Sequence, residues 1–349
     1  MTSTRDGAAP SAMPEPGPGA EDARLLTYAE ALNEALREEM RRDPDVFCIG
    51  EDIGRWGSGG VYGVTGGLLD EFGPERVRDT PVSEEAIVGM SVGAALLGMR
   101  PVAEIMYSDF MTLAMDPIVN QAAKIRYMFG GQASVPLVVR TNSGAPGNKA
   151  AQHSQSLEAW FMHVPGLTVI TPSTPADAKG LLKAAIRSDN PVIFLEHKRL
   201  YFTKGLVPLG EEVVPIGVAA VRREGRHLTV VANHTMVAKA LEAAEVLAGE
   251  GIELEIIDIR TIRPLDGATI SASVRKTGRL IVAHEANQTG GWGAEVVAQV
   301  AERDFHYLDA PILRVAAKDA PIPFSDVMER AVLPQTEEIV SKARALVLS

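Results

Sequence analysis

The sequence Asp79-Thr80-Pro81-Val82-Ser83-Glu84-Glu85 leads into the apolar run AIVGMSVGAALLG at residues 86–98. A proline and a serine open a predicted helix in which almost every later residue is apolar or glycine, a pattern typical of a buried helix. Two carboxylates, Glu84 and Glu85, fall in its first turn. A carboxylate there either stabilises the helix N-terminus or exchanges a proton with a ligand, its pKa raised by burial. The stretch alone leaves both roles open.

Strands and helices alternate on both sides of this stretch. Apolar periodicity in the first part of the chain predicts helices at 23–42, 65–72, 116–127 and 175–188, and strands at 46–50, 76–79, 100–107, 135–140, 167–170 and 192–196. Such alternation is typical of a mostly parallel sheet with helices on both faces. We therefore expect a doubly wound α/β domain over residues 25–200.

The alternation restarts after residues 201–215, which carry turn and charged residues but little periodicity. Predicted strands lie at 227–232, 252–259, 280–284 and 312–315, and predicted helices at 236–247, 265–275, 292–303 and 336–346. This pattern indicates a second, smaller doubly wound domain over residues 216–349, joined to the first by a linker at 201–215. Residues 1–24 are rich in Pro, Gly, Ala and acidic side chains, and we expect them to form a disordered tail.

Composition excludes several classes of function. The net charge of −11 disfavours nucleic acid and anionic membranes as partners, because both select for basic surfaces. No apolar run reaches the ~18 residues of a membrane span, and the N-terminal segment lacks the apolar core of a signal peptide. Cys48 is the one cysteine, so a disulfide framework or a cysteine-based metal site within one chain is excluded. These features predict a cytoplasmic protein.

Ligands of parallel α/β sheets bind beyond the carboxyl ends of the strands. Four predicted loops start at such ends, after Ile49, Asp79, Tyr107 and Arg140. The last of them contains His153, which either exchanges protons near neutral pH or is an ordinary surface residue. The loop at 55–63 fails as a dinucleotide fingerprint, because Tyr62 replaces its third glycine. A serine hydrolase is not supported, since no G-x-S-x-G motif occurs.

Several motifs together resemble one family. They are GEDIG at 50–54, DTPVSE at 79–84, GMRPVAEI at 98–105, QHSQSLEAW at 152–160, PGL at 165–167 and RTIRPL at 260–265. In this order they are similar to the β subunit of thiamine-diphosphate-dependent 2-oxo acid dehydrogenase E1 components. The resemblance runs from about Leu25 to the C-terminus. It implies an N-terminal pyrimidine-binding domain and a C-terminal domain like that of transketolase.

The resemblance also implies roles for individual residues. Glu84 matches the carboxylate that hydrogen-bonds the pyrimidine N1′ and favours the 4′-imino tautomer, which takes the proton from the thiazolium C2. His153 matches a histidine that handles the substrate-derived intermediate and passes the acyl group to lipoamide. Val82 and Phe110 match positions beside the cofactor ring. Met106 stands where branched-chain relatives often carry glutamine.

The resemblance places metal ions at two positions. Some family members bind potassium through main-chain carbonyls, at the positions that match Leu137, Ala185, Ile186, Ser188 and Asn190. Mg²⁺ normally holds the diphosphate through a G-D-G motif, which this chain lacks. We therefore expect the Mg²⁺ ligands on an E1 α subunit, with the cofactor at the interface of an α₂β₂ heterotetramer. Gly89 and Gly93 would let a neighbouring helix approach closely, either in the partner or within the subunit.

Four functions remain open at this point. The first is oxidative decarboxylation of a 2-oxo acid, pyruvate or branched-chain, with acyl transfer to the lipoyl group of an E2 acyltransferase core. The second is acetoin cleavage with the same cofactor, because residues 104–106 and 126–131 look closer to acetoin dehydrogenase β subunits. The third is a non-catalytic scaffold that docks E2 through its second domain, and the presence of both Glu84 and His153 argues against it. A single-chain enzyme like transketolase is disfavoured by the missing G-D-G motif.

Overall fold

A computed structural model of the chain describes residues 23–54, 59–145 and 147–348. Within these residues, strands β1 to β14 span Ala23–Thr27, Val46–Gly50, Val77–Asp79, Arg100–Ile105, Val138–Ser143, Thr168–Ile170, Val192–His197, Lys204–Pro208, Ala220–Arg223, Leu228–Ala232, Leu254–Asp258, Thr261–Arg263, Leu280–Asn287 and Leu313–Ala317. Helices α1 to α11 span Tyr28–Arg42, Leu68–Phe72, Glu84–Leu96, Ala123–Met128, Glu158–Met162, Pro175–Arg187, Thr235–Ala248, Gly267–Thr277, Gly293–Asp304, Asp326–Val332 and Thr336–Leu348. Single 3-10 segments lie at Ser108–Ala114, Ala151–His153 and Phe305–Tyr307, and a π-helical turn lies at Pro117–Ala122. None of the described helices is long and apolar enough to cross a membrane.

The first sheet confirms the predicted doubly wound fold with a mostly parallel sheet. Its strand order is β12-β6-β7-β5-β4-β2-β3, and all neighbours pair in parallel except β12 and β6. β12 belongs to the second half of the chain and pairs Thr261 with Ile170. The second half therefore supplies one edge of the first sheet, which local sequence patterns did not predict.

The second sheet confirms the predicted smaller α/β domain. Its order is β14-β13-β10-β11-β9, with only β9 antiparallel to its neighbour. Helices α7 and α11 cover one face with a separate apolar cluster. On the other face, residues of α8 and α9 belong to the same apolar cluster as residues of α3 and α4. The two sheets therefore share a continuous hydrophobic core, and the loops at their carboxyl ends meet.

The predicted helix at 23–42 begins later than expected, at Tyr28. Thr27 forms a capping box with Glu30, in which the Thr27 side chain accepts from the Glu30 amide and the Glu30 carboxylate accepts from the Thr27 amide. This cap fixes the N-terminal end of the helix at Tyr28, so residues 23–27 lie outside the helix and form the strand β1. β1 pairs antiparallel with β8, which lies inside the predicted linker. Residues 1–22 of the predicted tail lie outside the described residues.

Helix α3 was predicted to be buried on all sides, and this is wrong. One face is buried, with Ile87, Val88 and Val92 at most 5% exposed. The opposite face is open, with Met90 56% exposed and Leu96 43% exposed. An exposed apolar face on a helix of this kind is typical of an interface with another chain.

A buried charge cluster joins three adjacent strands at the centre of the first sheet. The Arg140 guanidinium on β5 donates to Glu196 Oε1 at 2.6 Å and Oε2 at 2.9 Å, and to Glu104 Oε2 at 2.8 Å. The Tyr201 hydroxyl donates to Glu196 Oε2 at 2.6 Å. Burial raises the pKa of Glu104, although the Arg140 charge opposes that shift. Arg140 is therefore the cationic partner of two carboxyl groups that are buried on the neighbouring strands.

Removal of this guanidinium should strongly destabilise the fold. We expect Arg140→Met to lower the free energy of unfolding by about 3–5 kcal/mol, because Glu104 and Glu196 would be left buried and unpaired. Urea unfolding of the purified chain, followed by circular dichroism, measures this difference. Arg344→Met, which breaks an exposed pair with Glu250, is the control and should be nearly neutral. Equal losses in the two variants would contradict the assigned role of Arg140.

Candidate active site

Glu84 is the first residue of α3, and its side chain is directed into a groove. The residue is only 7% exposed. Ser83 at the cap position makes no side-chain bond to the helix, because its hydroxyl donates to the Val82 carbonyl at 2.7 Å. The groove has a volume of about 790 Å³, and Glu84, Leu113 and Gln121 are among the residues that line it. A ligand in this groove would meet a carboxylate at the positive end of a helix.

Glu51 is a second carboxyl group near Glu84 that sequence analysis did not assign to the site. It follows β2, which pairs in parallel with β3, the strand before α3. Burial raises the pKa of Glu51, and the charges of Glu84 and Asp52 raise it further. The Glu51 Oε1 atom is buried and has no hydrogen-bond partner among the described residues. A buried carboxyl oxygen without a partner suits a ligand that brings a hydrogen-bond donor, such as an amino-substituted heteroaromatic ring. The GEDIG motif at 50–54 was the sequence signal that could have identified Glu51 as a residue of the site.

His153 lies in an aromatic cluster at the carboxyl ends of β4 and β5. Its half-buried imidazole is edge-on to two rings, with centroids 5.4 Å from Tyr107 and 5.2 Å from Phe110. Met106 is half-buried beside Tyr107, directly after β4. The structure therefore brings together two of the predicted residues, Phe110 and His153, and places Met106 next to Tyr107 in the chain.

Two of the predicted residues stand apart from this aromatic cluster. Val82 is 75% exposed and precedes α3. Glu84 lines the groove, and neither His153 nor Phe110 is among the residues that line it. Both groups nevertheless lie beyond the carboxyl ends of the same parallel sheet, since α3 follows β3 and the segment with His153 follows β5.

Residues 144–145 and 147–155, which we call the histidine loop, are bound by side chains of the second domain. The Ala145 amide donates to Glu285 Oε1 at 2.7 Å, and the Asn148 amide donates to Glu329 Oε2 at 3.1 Å. Gly144 has φ +80°, and a Cβ at this position would overlap the His197 imidazole. Only glycine therefore allows the loop to leave β5 at this point. Glu285 is thus a contact between the domains.

Four titratable side chains are buried where the two domains meet. His197 Nε2 lies 3.2 Å from Glu285 Oε1, and His234 Nδ1 lies 3.7 Å from Glu158 Oε1. Burial and, to a lesser extent, the neighbouring His197 lower the pKa of His234 to about 3. Burial raises the pKa of Glu158 to about 7. The His197 imidazole and a hydrogen bond from the Ala145 amide hold the pKa of the Glu285 carboxyl group far below its usual value, although burial alone would raise it. His234 is therefore neutral at physiological pH.

The resemblance implies metal ions at two positions. The described residues contain no group of three or more His, Cys, Asp or Glu side chains that could hold a metal ion. At the predicted potassium position, the carbonyls of Ile186 and Ser188 accept hydrogen bonds from Arg100 at 3.0 and 3.1 Å. The Leu137 carbonyl accepts from the Val192 amide at 2.8 Å. These carbonyls fit a potassium ion only if the Arg100 guanidinium moves away.

Comparison with known families and structures matches both domains. Residues 24–204 match the family described as "Transketolase, pyrimidine binding domain", and residues 217–339 match "Transketolase, C-terminal domain". Among solved structures, a "Split gene transketolase, inactive beta4 tetramer" superposes with a TM-score of 0.74 at 23% identity, over 93% of this chain and 98% of that one. At this identity the match concerns the fold alone.

Curated relatives are more similar in sequence. "Pyruvate dehydrogenase E1 component subunit beta-2, mitochondrial" of Oryza sativa is 49% identical over 92% of this chain and 86% of its own length. "Acetoin:2,6-dichlorophenolindophenol oxidoreductase subunit beta" of Cupriavidus necator is also 49% identical, over 92% of this chain and 97% of its own length. Two activities are thus represented at the same identity.

The low pKa of His234 predicts a loss of stability in acid. The histidine of the unfolded chain takes up a proton below pH 6.5, whereas folded His234 stays neutral to about pH 3. Stability is therefore lost as the pH falls between these values, by about 2 kcal/mol between pH 7 and pH 5. His234→Gln keeps a donor for the Leu195 carbonyl and should show a correspondingly smaller loss.

Urea unfolding of both proteins at the two pH values measures this difference. His306→Gln, at an exposed histidine, is the control for the substitution itself. An acid loss in His234→Gln as large as that of the unmodified chain would show that His234 is not the group responsible.

Proposed function

This chain belongs to the family of E1 β subunits that combine a transketolase pyrimidine-binding domain with a transketolase C-terminal domain, and from this membership we propose its function. It is the β subunit of a thiamine-diphosphate-dependent dehydrogenase that decarboxylates a 2-oxo acid, pyruvate or branched-chain, and passes the acyl group to the lipoyl group of an E2 core. The observation that carries this proposal is Glu84, a buried carboxyl group that lines the groove and interacts electrostatically with Glu51.

The groove suits the aminopyrimidine half of thiamine diphosphate. Glu84 would share a proton with the ring nitrogen N1′, and the unsatisfied Oε1 of Glu51 would accept a hydrogen bond from the bound ligand or from an ordered water. When bound, the cofactor supplies a nucleophilic thiazolium carbon that adds to the substrate carbonyl. This chain supplies the proton donor and the position of the ring.

The aromatic cluster is the second part of the proposed site. Phe110 and Tyr107 fix the orientation of the His153 imidazole, which would move a proton at the substrate-derived oxygen during acyl transfer. Val82 and Met106 would contact the cofactor ring. Residues that hold a proton at a defined atom contribute to rate through geometry as well as through charge.

An E1 α subunit is the proposed partner at the open face of α3. Gly89 and Gly93 lie on this face, and a Cβ added at either residue would meet nothing within 4 Å. Packing within the subunit therefore does not explain these glycines, whereas the close approach of a partner helix does. We propose that the α subunit covers this face, supplies the Mg²⁺ ligands and completes an α₂β₂ assembly. The E2 contact, a potassium ion near Ser188 and a cytoplasmic location remain predictions.

Acetoin cleavage is the second candidate function. It is favoured by the 49% identity to the acetoin oxidoreductase subunit, which equals the identity to the pyruvate dehydrogenase subunit. The chain, purified with its α subunit, should be tested with pyruvate, branched 2-oxo acids and acetoin, using an artificial electron acceptor. The substrate with the highest kcat/KM separates the two candidates. Lack of turnover with all of them would refute the enzymatic proposal.

Replacement of the buried carboxylate tests its assigned role. We expect Glu84→Gln to lower kcat by at least about 10²-fold, because a neutral amide cannot share the proton. Assembly with the α subunit, measured by analytical ultracentrifugation, should not change. Glu302→Gln is the control, since Glu302 is an exposed glutamate on α9 that does not line the groove, and it should retain nearly full activity. Full activity in Glu84→Gln would remove this residue from the mechanism.

A further inference from the structure

Lys198 is a buried lysine that both sequence analysis and the proposed mechanism leave without a role. It follows β7, and its side chain has no solvent exposure. The ammonium donates to the carbonyl of His153 at 2.8 Å and to the carbonyl of Gly144 at 3.1 Å. These two residues lie near opposite ends of the histidine loop. One ammonium group therefore ties the start of the loop to the residue that carries the imidazole.

The same ammonium faces the segment that borders the imidazole from the other side. It lies 4.5 Å from the centre of the Tyr107 ring and 3.9 Å from Asp109 Oδ2. The other oxygen of Asp109 accepts from the amide and the side chain of Gln155, at 3.1 and 2.9 Å. Lys198 and Asp109 thus join the loops that follow β4, β5 and β7.

Burial of this lysine is energetically costly. Loss of hydration lowers the pKa of Lys198 to about 8, although Asp109 and Glu285 favour its charged form. A buried ammonium is tolerated where it has hydrogen-bond acceptors. Here these acceptors are the two loop carbonyls, so the position of the lysine and the conformation of the loop depend on each other.

We propose that Lys198 is a positioning residue for His153. Its ammonium group holds the main chain at His153 and the Tyr107 ring that packs against the imidazole. The inference rests on the proposed function for the role of His153, and goes beyond it by assigning the geometry of the histidine to a residue of another loop. Lys198 itself does not touch the reacting atoms. Its effect on turnover should therefore pass entirely through His153.

The first measurement does not depend on catalysis. Hydrogen exchange of the amides at 147–155 should become at least about tenfold faster in Lys198→Met, because the loop loses its anchor. Lys198→Arg keeps the charge and should restore part of the protection. Lys183→Met is the matched control, since Lys183 is also fully buried but pairs with Glu38, and it should leave these amides unchanged. Unchanged exchange in Lys198→Met would overturn the proposal, even if the chain has no dehydrogenase activity.

The second measurement is a double-mutant cycle in the complete αβ enzyme. Transfer to a lipoyl-bearing domain should fall about 10- to 100-fold in Lys198→Met, as expected for a displaced catalytic group. In a His153→Ala background, Lys198→Met should change the rate by less than about twofold, because the group it positions is absent. A full, additive loss in that background would overturn the proposal. Lack of turnover by the unmodified enzyme would refute the proposed function instead, and hydrogen exchange would then decide the anchoring role.

Discussion

The main constraint on this structure is the burial of charged groups where the carboxyl ends of two parallel sheets meet. Parallel strands end in loops that carry polar side chains, and here the loops of one sheet face the loops of the other. Each buried charge must find a partner in a different element, since an isolated one would be far too costly. Glu285 from the second sheet accepts a hydrogen bond from the Ala145 amide, and the Lys198 ammonium donates to the Gly144 and His153 carbonyls. These hydrogen bonds fix the conformation of the histidine loop.

Charge pairing of this kind contributes more to specificity of conformation than to net stability. A buried ion pair gains little over well-packed apolar side chains, but the loss of one partner leaves the other uncompensated. The cluster around Arg140 fixes the relative position of β4, β5 and β7 in this way. The loops after the same strands carry Met106, His153 and Lys198, so the positions of these residues follow from the register of the central strands.

The proposed site is open on the side of α3. Glu84 lines a groove and interacts electrostatically with Glu51, while the open face of α3 exposes Met90 and Leu96. A site with a carboxylate pair and an uncovered apolar helix beside it is suited to completion by a second polypeptide. This arrangement explains why a helix that is apolar all round is not buried in its own subunit. It also agrees with the missing G-D-G motif, because the ligands for a charged diphosphate would come from the partner.

Sequence patterns were sufficient to predict the two α/β domains, the carboxylate at the start of α3 and the histidine after β5. These features depend on local periodicity and on motifs whose order resembles one family. How these parts combine follows from contacts that form only in the folded chain. The pairing of β12 with β6, the overlap that permits only glycine at 144, and the carboxyl pair of Glu51 and Glu84 all join residues far apart in the chain. The exposure of α3 could not be predicted from the sequence either. An apolar helix has the same sequence pattern whether its own subunit or a partner covers it. Local patterns record what a segment can form, whereas burial and charge depend on which segments become neighbours.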